Sequence, residues 1–142
     1  MKRNQSGIAL LEFALWLLPI MILLAGVIEV SRMLSIQHTI ARAARDGARI
    51  GVGVTHASAP STGPATETDI ENAAINHAVE VLNDTGLTCG SGCVVTATWF
   101  QNTSGRMMLT VEVQYPFTPI MGLVATWERP LVRDFTMMTQ QQ

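Results

Sequence analysis

The sequence predicts an α+β protein: a long N-terminal transmembrane helix that continues into a small head, where one further helix packs on an antiparallel sheet of about three strands. Three observations lead there. Residues 8–28 are apolar throughout except for Glu12. Apolar residues then recur at spacings of three and four as far as Val54, the signature of a helix with a buried stripe. Beyond a Pro/Ser/Thr-rich stretch, one more helical pattern precedes segments in which apolar and polar residues alternate, as in half-buried strands.

The first element is the most constrained. Of 142 residues, 14% are charged, against about a quarter in an ordinary soluble domain, and the shortage falls at the N-terminus. Twenty-one residues from Ile8 to Ile28 span roughly 31 Å as a helix, close to the ~30 Å of a hydrocarbon core. The run has no polar face. It is longer than the apolar core of a secretory signal peptide, and Leu24-Ala25-Gly26-Val27-Ile28-Glu29 matches a small-x-small cleavage site poorly. Pro19 is expected to kink the helix.

Glu12 is out of place in this run. A carboxylate in hydrocarbon costs a few kcal/mol at mid-bilayer and marks either function or a partner. One turn inside the span, it can snorkel, which is the plain reading. The sharper reading gives it a cation from a neighbouring subunit. Cleavage after Gly7 would make Ile8 the new N-terminus and Glu12 the fifth residue of the mature chain, and an ammonium and a carboxylate could then neutralise each other inside an assembly.

Past the span, Met33, Ile36, Ile40, Ala43, Gly47, Ile50 and Val54 form the apolar stripe, and Ala41, Ala44, Gly47, Ala48 and Gly51 are small enough to admit another element. In its outer half the stripe is read as contact with the chain's own head rather than with other subunits. Arg42 and Asp46 make an i,i+4 pair on the solvated side.

Several of these residues together form a pattern. Gly7-x-Ala9-x-x-Glu12-Phe13-Ala14, the apolar run with Pro19, Ile28-Glu29-x-x-Arg32 and Ala43-Ala44-Arg45-Asp46-Gly47-Ala48-Arg49 resemble the TadE-like family, minor pilins (pseudopilins) of the tight adherence (Tad/Flp) type IV pilus system. The specific part covers about residues 1–52. The resemblance implies a leader over 1–7 that a prepilin peptidase removes at Gly7–Ile8; together with the residue patterns it gives a transmembrane helix over 8–28, its extension over 29–54, a linker over 55–67 and a periplasmic head over 68–142, which resembles the family only in its general strand pattern. It further implies a role in pilus assembly, adhesion and biofilm formation, with inner-membrane lipid, other Tad pilins and the Tad assembly platform as partners. Ile8 departs from the phenylalanine common at the first mature position of pilins.

Orientation is not decided by cations. Lys2 and Arg3 favour a cytoplasmic N-terminus, but Arg32, Arg42 and Arg45 follow the span closely. A cytoplasmic N-terminus and a periplasmic head follow from the resemblance and from the cysteines. Cys89 and Cys93 stand in Cys-Gly-Ser-Gly-Cys. A metal pair would normally have two intervening residues and two more ligands, whereas a short disulfide loop suits the glycines and an exported domain. Such a ring shapes a loop more than it stabilises a fold.

The remaining elements follow in order. Residues 55–66, with Pro60, Pro64 and a solvated His56, read as a loop. Thr68 and Glu71 read as a capping box opening a helix that buries Ile70, Ala73, Ala74, His77, Ala78, Val81 and Leu82 and stops near Gly86. His77 is read as a hydrogen-bonded residue at the core edge. Val95, Ala97 and Trp99 define one strand, Met107 to Tyr115 a second, and Leu131 to Met138 a third with Arg133 and Asp134 on opposite faces; Asn102-Thr103-Ser104-Gly105 joins the first two. Residues 117–127 read as a loop or short helix whose apolar cluster, Phe117, Ile120, Met121, Leu123, Val124 and Trp127, is read as core cover ahead of an exposed contact surface in an assembly, and the C-terminal glutamines as frayed.

No nucleophile elbow, phosphate loop or metal-ligand spacing is present. No catalytic residues, cofactor, metal, nucleic acid or small-molecule substrate is expected. The competing class is an unprocessed, single-pass membrane-anchored periplasmic binding or sensor module, which leaves Glu12 without a role.

Overall fold

The computed structural model describes residues 6–57, 66–120 and 130–138, with side chains of the first helix from Gly7 to Val54. Helix α1, Ser6–Ala57, is one helix of 52 residues, about 78 Å long. It runs unbroken through Pro19, which cannot donate to the carbonyl of Leu15. It is the one helix among the described residues long and apolar enough to cross a membrane, and its side chains from Ile8 to Leu24 are exposed. The helix extends to Ala57, three residues beyond the expected 54.

The outer half of α1 packs on the head. Ile40, Ala43, Ala44 and Ala48 are fully buried, so this part of the stripe is core contact within the chain, as expected. Its last step differs. Ile50 is 42% exposed, while Gly51 is buried. The buried line follows steps of four through 43, 47 and 51 because small residues there let the next helix close in.

That helix is α2, Glu67–Asp84. Its capping box is Thr66 with Asp69, not Thr68 with Glu71: the Thr66 hydroxyl accepts from the Asp69 amide at 3.3 Å, and the Asp69 carboxylate accepts from the Thr66 amide at 3.0 Å. Glu71 cannot fold back on a cap, because its Oε1 accepts the Trp99 amide at 2.9 Å and ties α2 to the sheet. Ile70, Ala74, Ala78 and Leu82 are buried. The helix ends at a left-handed Gly86, φ +82°, with the Leu87 amide donating to the Leu82 carbonyl at 2.9 Å. His77 is half-buried and its Nδ1 lies 3.3 Å from Glu80, matching the core-edge reading.

The sheet is a meander in the order β1-β2-β3, with β1 Val94–Gln101, β2 Met107–Tyr115 and β3 Leu131–Met138, all antiparallel. Leu109, Val111 and Val113 are fully buried, and Val95, Ala97, Trp99, Phe135 and Met137 pack beside them. Both helices lie on this face, α1 over β2 and β3 and α2 mainly over β1. Arg133 and Asp134 do alternate: Arg133 donates to Gln37 of α1 at 2.8 Å, and Asp134 pairs with Glu112 in the row on the other face. Arg45 lies 5.2 Å from the Phe135 ring centroid. The Asn102–Gly105 hairpin closes with Asn102 N–H to Arg106 at 2.8 Å and a positive-φ Gly105.

Between β2 and β3, residues 116–120 are irregular. Phe117 is buried, as core cover requires, whereas Ile120 is 73% exposed and does not cover the core, because its backbone is held against Glu29 with its side chain outward; Met121, Leu123, Val124 and Trp127 of the same cluster lie outside the described residues, as do 58–65, the side chain of His56 and the glutamine tail.

Candidate assembly and membrane-interface site

The expected processing residues stand at the first turn of α1. A Cβ built on Gly7 would meet nothing within 4 Å, and Ile8 and Glu12 are exposed. Glu12 follows Gly7 by five helical residues, a rise of about 7.5 Å. Among the described residues no ion pair reaches Glu12. No described residue competes for the carboxylate.

Cys89 and Cys93 are elsewhere, in the turn between α2 and β1. They form a disulfide with Cα atoms 5.2 Å apart. The turn is closed by Gly90 N–H to Thr88 at 3.0 Å and Cys93 N–H to Gly90 at 3.2 Å, and a positive-φ Gly92 sits against Pro116. Both cysteines border the core. The structure therefore does not bring the cysteines and Glu12 into one site. No three His, Cys, Asp or Glu side chains converge to hold a metal among the described residues.

Two features of α1 connect its ends. One is a seam of small residues. A Cβ on Gly47 would lie 2.7 Å from the Ala74 carbonyl oxygen and 2.9 Å from the Ala78 Cβ; one on Gly51 would lie 2.5 Å from Leu109 Cδ2 and 2.9 Å from the Ala74 Cβ. Glycines four apart on α1 thus face alanines four apart on α2, and the backbones approach as closely as side chains allow.

The other feature is a buried polar cluster where the apolar run ends. Glu29 is 4% exposed. Its Oε1 accepts the Ile120 amide at 3.2 Å and lies 4.0 Å from Arg32 Nη2. Arg32 donates to the Thr118 carbonyl and stacks 5.0 Å from the Phe117 ring centroid, while its Nε is buried without a hydrogen-bond partner among the described residues. Glu29 and Arg32 thereby hold residues 117–120, just after β2, against the helix. Sequence reading placed both residues in a motif but gave them no task. The i,i+3 acid–base pair at the foot of the span was visible, whereas partners 86 and 91 positions away in the chain were not.

Gly7, Glu12, Glu29, Arg32 and Gly47 lie on one stretch of α1 that is recognised, with Gly51 just beyond its end. Residues 7–49 match the family described as TadE-like protein. The TadE-like segment starts at Gly7 and includes Glu12, Glu29, Arg32 and Gly47, in agreement with the resemblance drawn from the motifs. It ends within α1, before α2 and the sheet. No match was found among the curated proteins or the solved structures.

Proposed function

We propose that this chain is a minor pilin (pseudopilin) of a Tad pilus system, anchored by residues 8–28 in the bacterial inner membrane with its head in the periplasm. A prepilin peptidase cuts the Gly7–Ile8 bond, and the mature subunit joins other Tad pilins or their assembly platform to serve adhesion. The TadE-like match over 7–49 ties the helix to that system. The observation that carries the reading is the exposed Gly7–Ile8 bond with an exposed Glu12 five residues on, without an ion pair among the described residues, in an apolar run over 8–28 that otherwise excludes charge. An N-terminal ammonium on Ile8 of one subunit and Glu12 of its neighbour neutralise each other when the apolar helices bundle. The cytoplasmic placement of the N-terminus is supported by the disulfide in the head, which needs an oxidising compartment.

The deciding experiment is the intact mass of the protein isolated from its native host. Loss of residues 1–7 is expected. A chain that still begins at Met1 or Lys2 while the peptidase is present would refute processing and favour an unprocessed membrane-anchored module. Glu12→Ala is expected to leave processing intact and abolish assembly; unchanged piliation would sink the charge-pairing role.

A further inference from the structure

We propose that the irregular segment Pro116–Ile120 is a membrane-interface anchor, seated on the lipid surface beside the point where α1 leaves the bilayer, with Ile120 inserted at the acyl boundary. The inference rests on α1 being a transmembrane helix. Three observations lead to it.

The first is height. Helical side chains lean toward the helix N-terminus and cover the turn before their own Cα. Glu29 immediately follows the last apolar residue of the span, so its carboxylate reaches back over the final turn of the apolar run. The Ile120 amide sits 3.2 Å from that carboxylate. When residues 8–28 fill the hydrocarbon layer, Ile120 lies at its edge.

The second is chemistry. Irregular backbone is excluded from lipid unless its polar groups are satisfied. Here Pro116 and Pro119 have no N–H to satisfy, the Ile120 N–H is held by Glu29, and the Thr118 carbonyl is held by Arg32. This assigns Glu29 a task distinct from that of Glu12. It is a permanent acceptor for a loop that sits where water is scarce.

The third is the direction of the apolar side chains. Phe117 turns into the protein, 7% exposed, whereas Ile120 is 73% exposed. A large aliphatic side chain turned outward at the depth of the bilayer edge meets acyl chains and headgroups. Arg32, a third exposed at its side chain, stands where a guanidinium snorkels to phosphates.

The test uses the full chain in vesicles of phosphatidylethanolamine and phosphatidylglycerol. Single cysteines replace Ile120, Ile22 or Ser104 and carry a nitroxide. Cys89 and Cys93 are paired with each other, so the introduced thiol alone reacts. Collision with oxygen, which partitions into lipid, is compared with collision with a polar nickel chelate. Because Ile120 is exposed, its replacement leaves the packing intact.

Expected is a several-fold lower nickel accessibility at 120 than at 104, with high oxygen accessibility, intermediate between 104 and the mid-span position 22. Nickel accessibility at 120 equal to that at 104, with 22 lipid-exposed, would overturn the anchor and leave the span intact. Shielding of 120 from both oxygen and nickel would mean a protein neighbour instead of lipid, and would overturn it too. Position 22 in water would remove the transmembrane premise itself. In Glu29→Leu, the nickel accessibility of 120 is expected to rise toward that of 104 with 22 unchanged; no rise would refute the role given to the carboxylate.

Discussion

The seam between α1 and α2 gives a prediction whose sign can be worked out. Gly→Ala inside a helix is intrinsically favourable by about 0.8–1 kcal/mol. At Gly53 the new Cβ meets nothing within 4 Å, so Gly53→Ala should stabilise by up to that amount, less near a helix end. At Gly47 the same methyl group would stand 2.7 Å from the Ala74 carbonyl oxygen and 2.9 Å from the Ala78 Cβ. Neither is the end of a flexible side chain, so the helices themselves must move apart. Overpacking of that kind costs about 1–3 kcal/mol, more than the propensity gain, and the displacement also loosens fully buried Ala44, Ala48 and Leu82. We expect Gly47→Ala to be destabilised by up to about 2 kcal/mol net. Pulse proteolysis in urea, on protein in mild detergent, reads this out. With a slope of roughly 1–1.5 kcal/mol per molar for a small domain, the midpoint should fall by about 1 M. Gly47→Ala as stable as Gly53→Ala would refute the close helix seam.

Three further outcomes are open to measurement. The Thr66 hydroxyl and amide hold the Asp69 carboxyl below its ordinary value of 3.8; a group depressed in the folded state stabilises it above the unfolded pKa and ceases to as pH falls through the lower, folded one. Acid titration of helix content should therefore show an acid-side loss below about pH 4 that is reduced in Asp69→Asn, and Thr66→Ala should lose about 1 kcal/mol near neutral pH. Glu71→Ala strands the Trp99 amide, half-buried in the sheet, and should destabilise the head by about 1–3 kcal/mol in the same proteolysis assay. Cys93→Ser opens a ring with a sequence separation of 4, and the chain-entropy estimate for so short a loop is about 2 kcal/mol, so the head should remain folded but weaker.

The elements that could be read from the sequence are those whose cause is local. The apolar run, the alternation of Val95, Ala97 and Trp99, and the glycine after α2 each encode their structure within a few residues. The capping box was misplaced because two Thr-x-x-acid frames overlap, Thr66 with Asp69 and Thr68 with Glu71. Choosing between them requires knowing that Glu71 is drawn off by Trp99, 28 positions later. Ile50 was misjudged for a related reason: periodicity finds a face, but the close approach at Gly47 and Gly51 fixes where on that face contact occurs. At the site, Gly7 and Glu12 were legible because a glycine and a lone acid stand out against apolar neighbours. Glu29 and Arg32 were legible only as pattern, since their partners come from the far side of the sheet's second strand.

The two acids of α1 show how position decides what a carboxylate does. Glu12 lies inside the apolar run, exposed, with no ion pair among the described residues. On the processing proposed above, the cation that answers it in hydrocarbon comes from a neighbouring subunit, which would tie it to assembly. Glu29, one residue past the run, is more deeply buried yet already answered, by a backbone amide and an arginine of its own helix. Both partners belong to its own chain, so it fixes how the head sits on its helix before any partner arrives. A neutral side chain at position 12 should consequently spare the folded subunit and impair only the filament. At position 29 the order reverses: a residue that cannot accept a hydrogen bond releases Ile120 in the isolated subunit, and any defect in assembly follows from a head no longer held at a defined height.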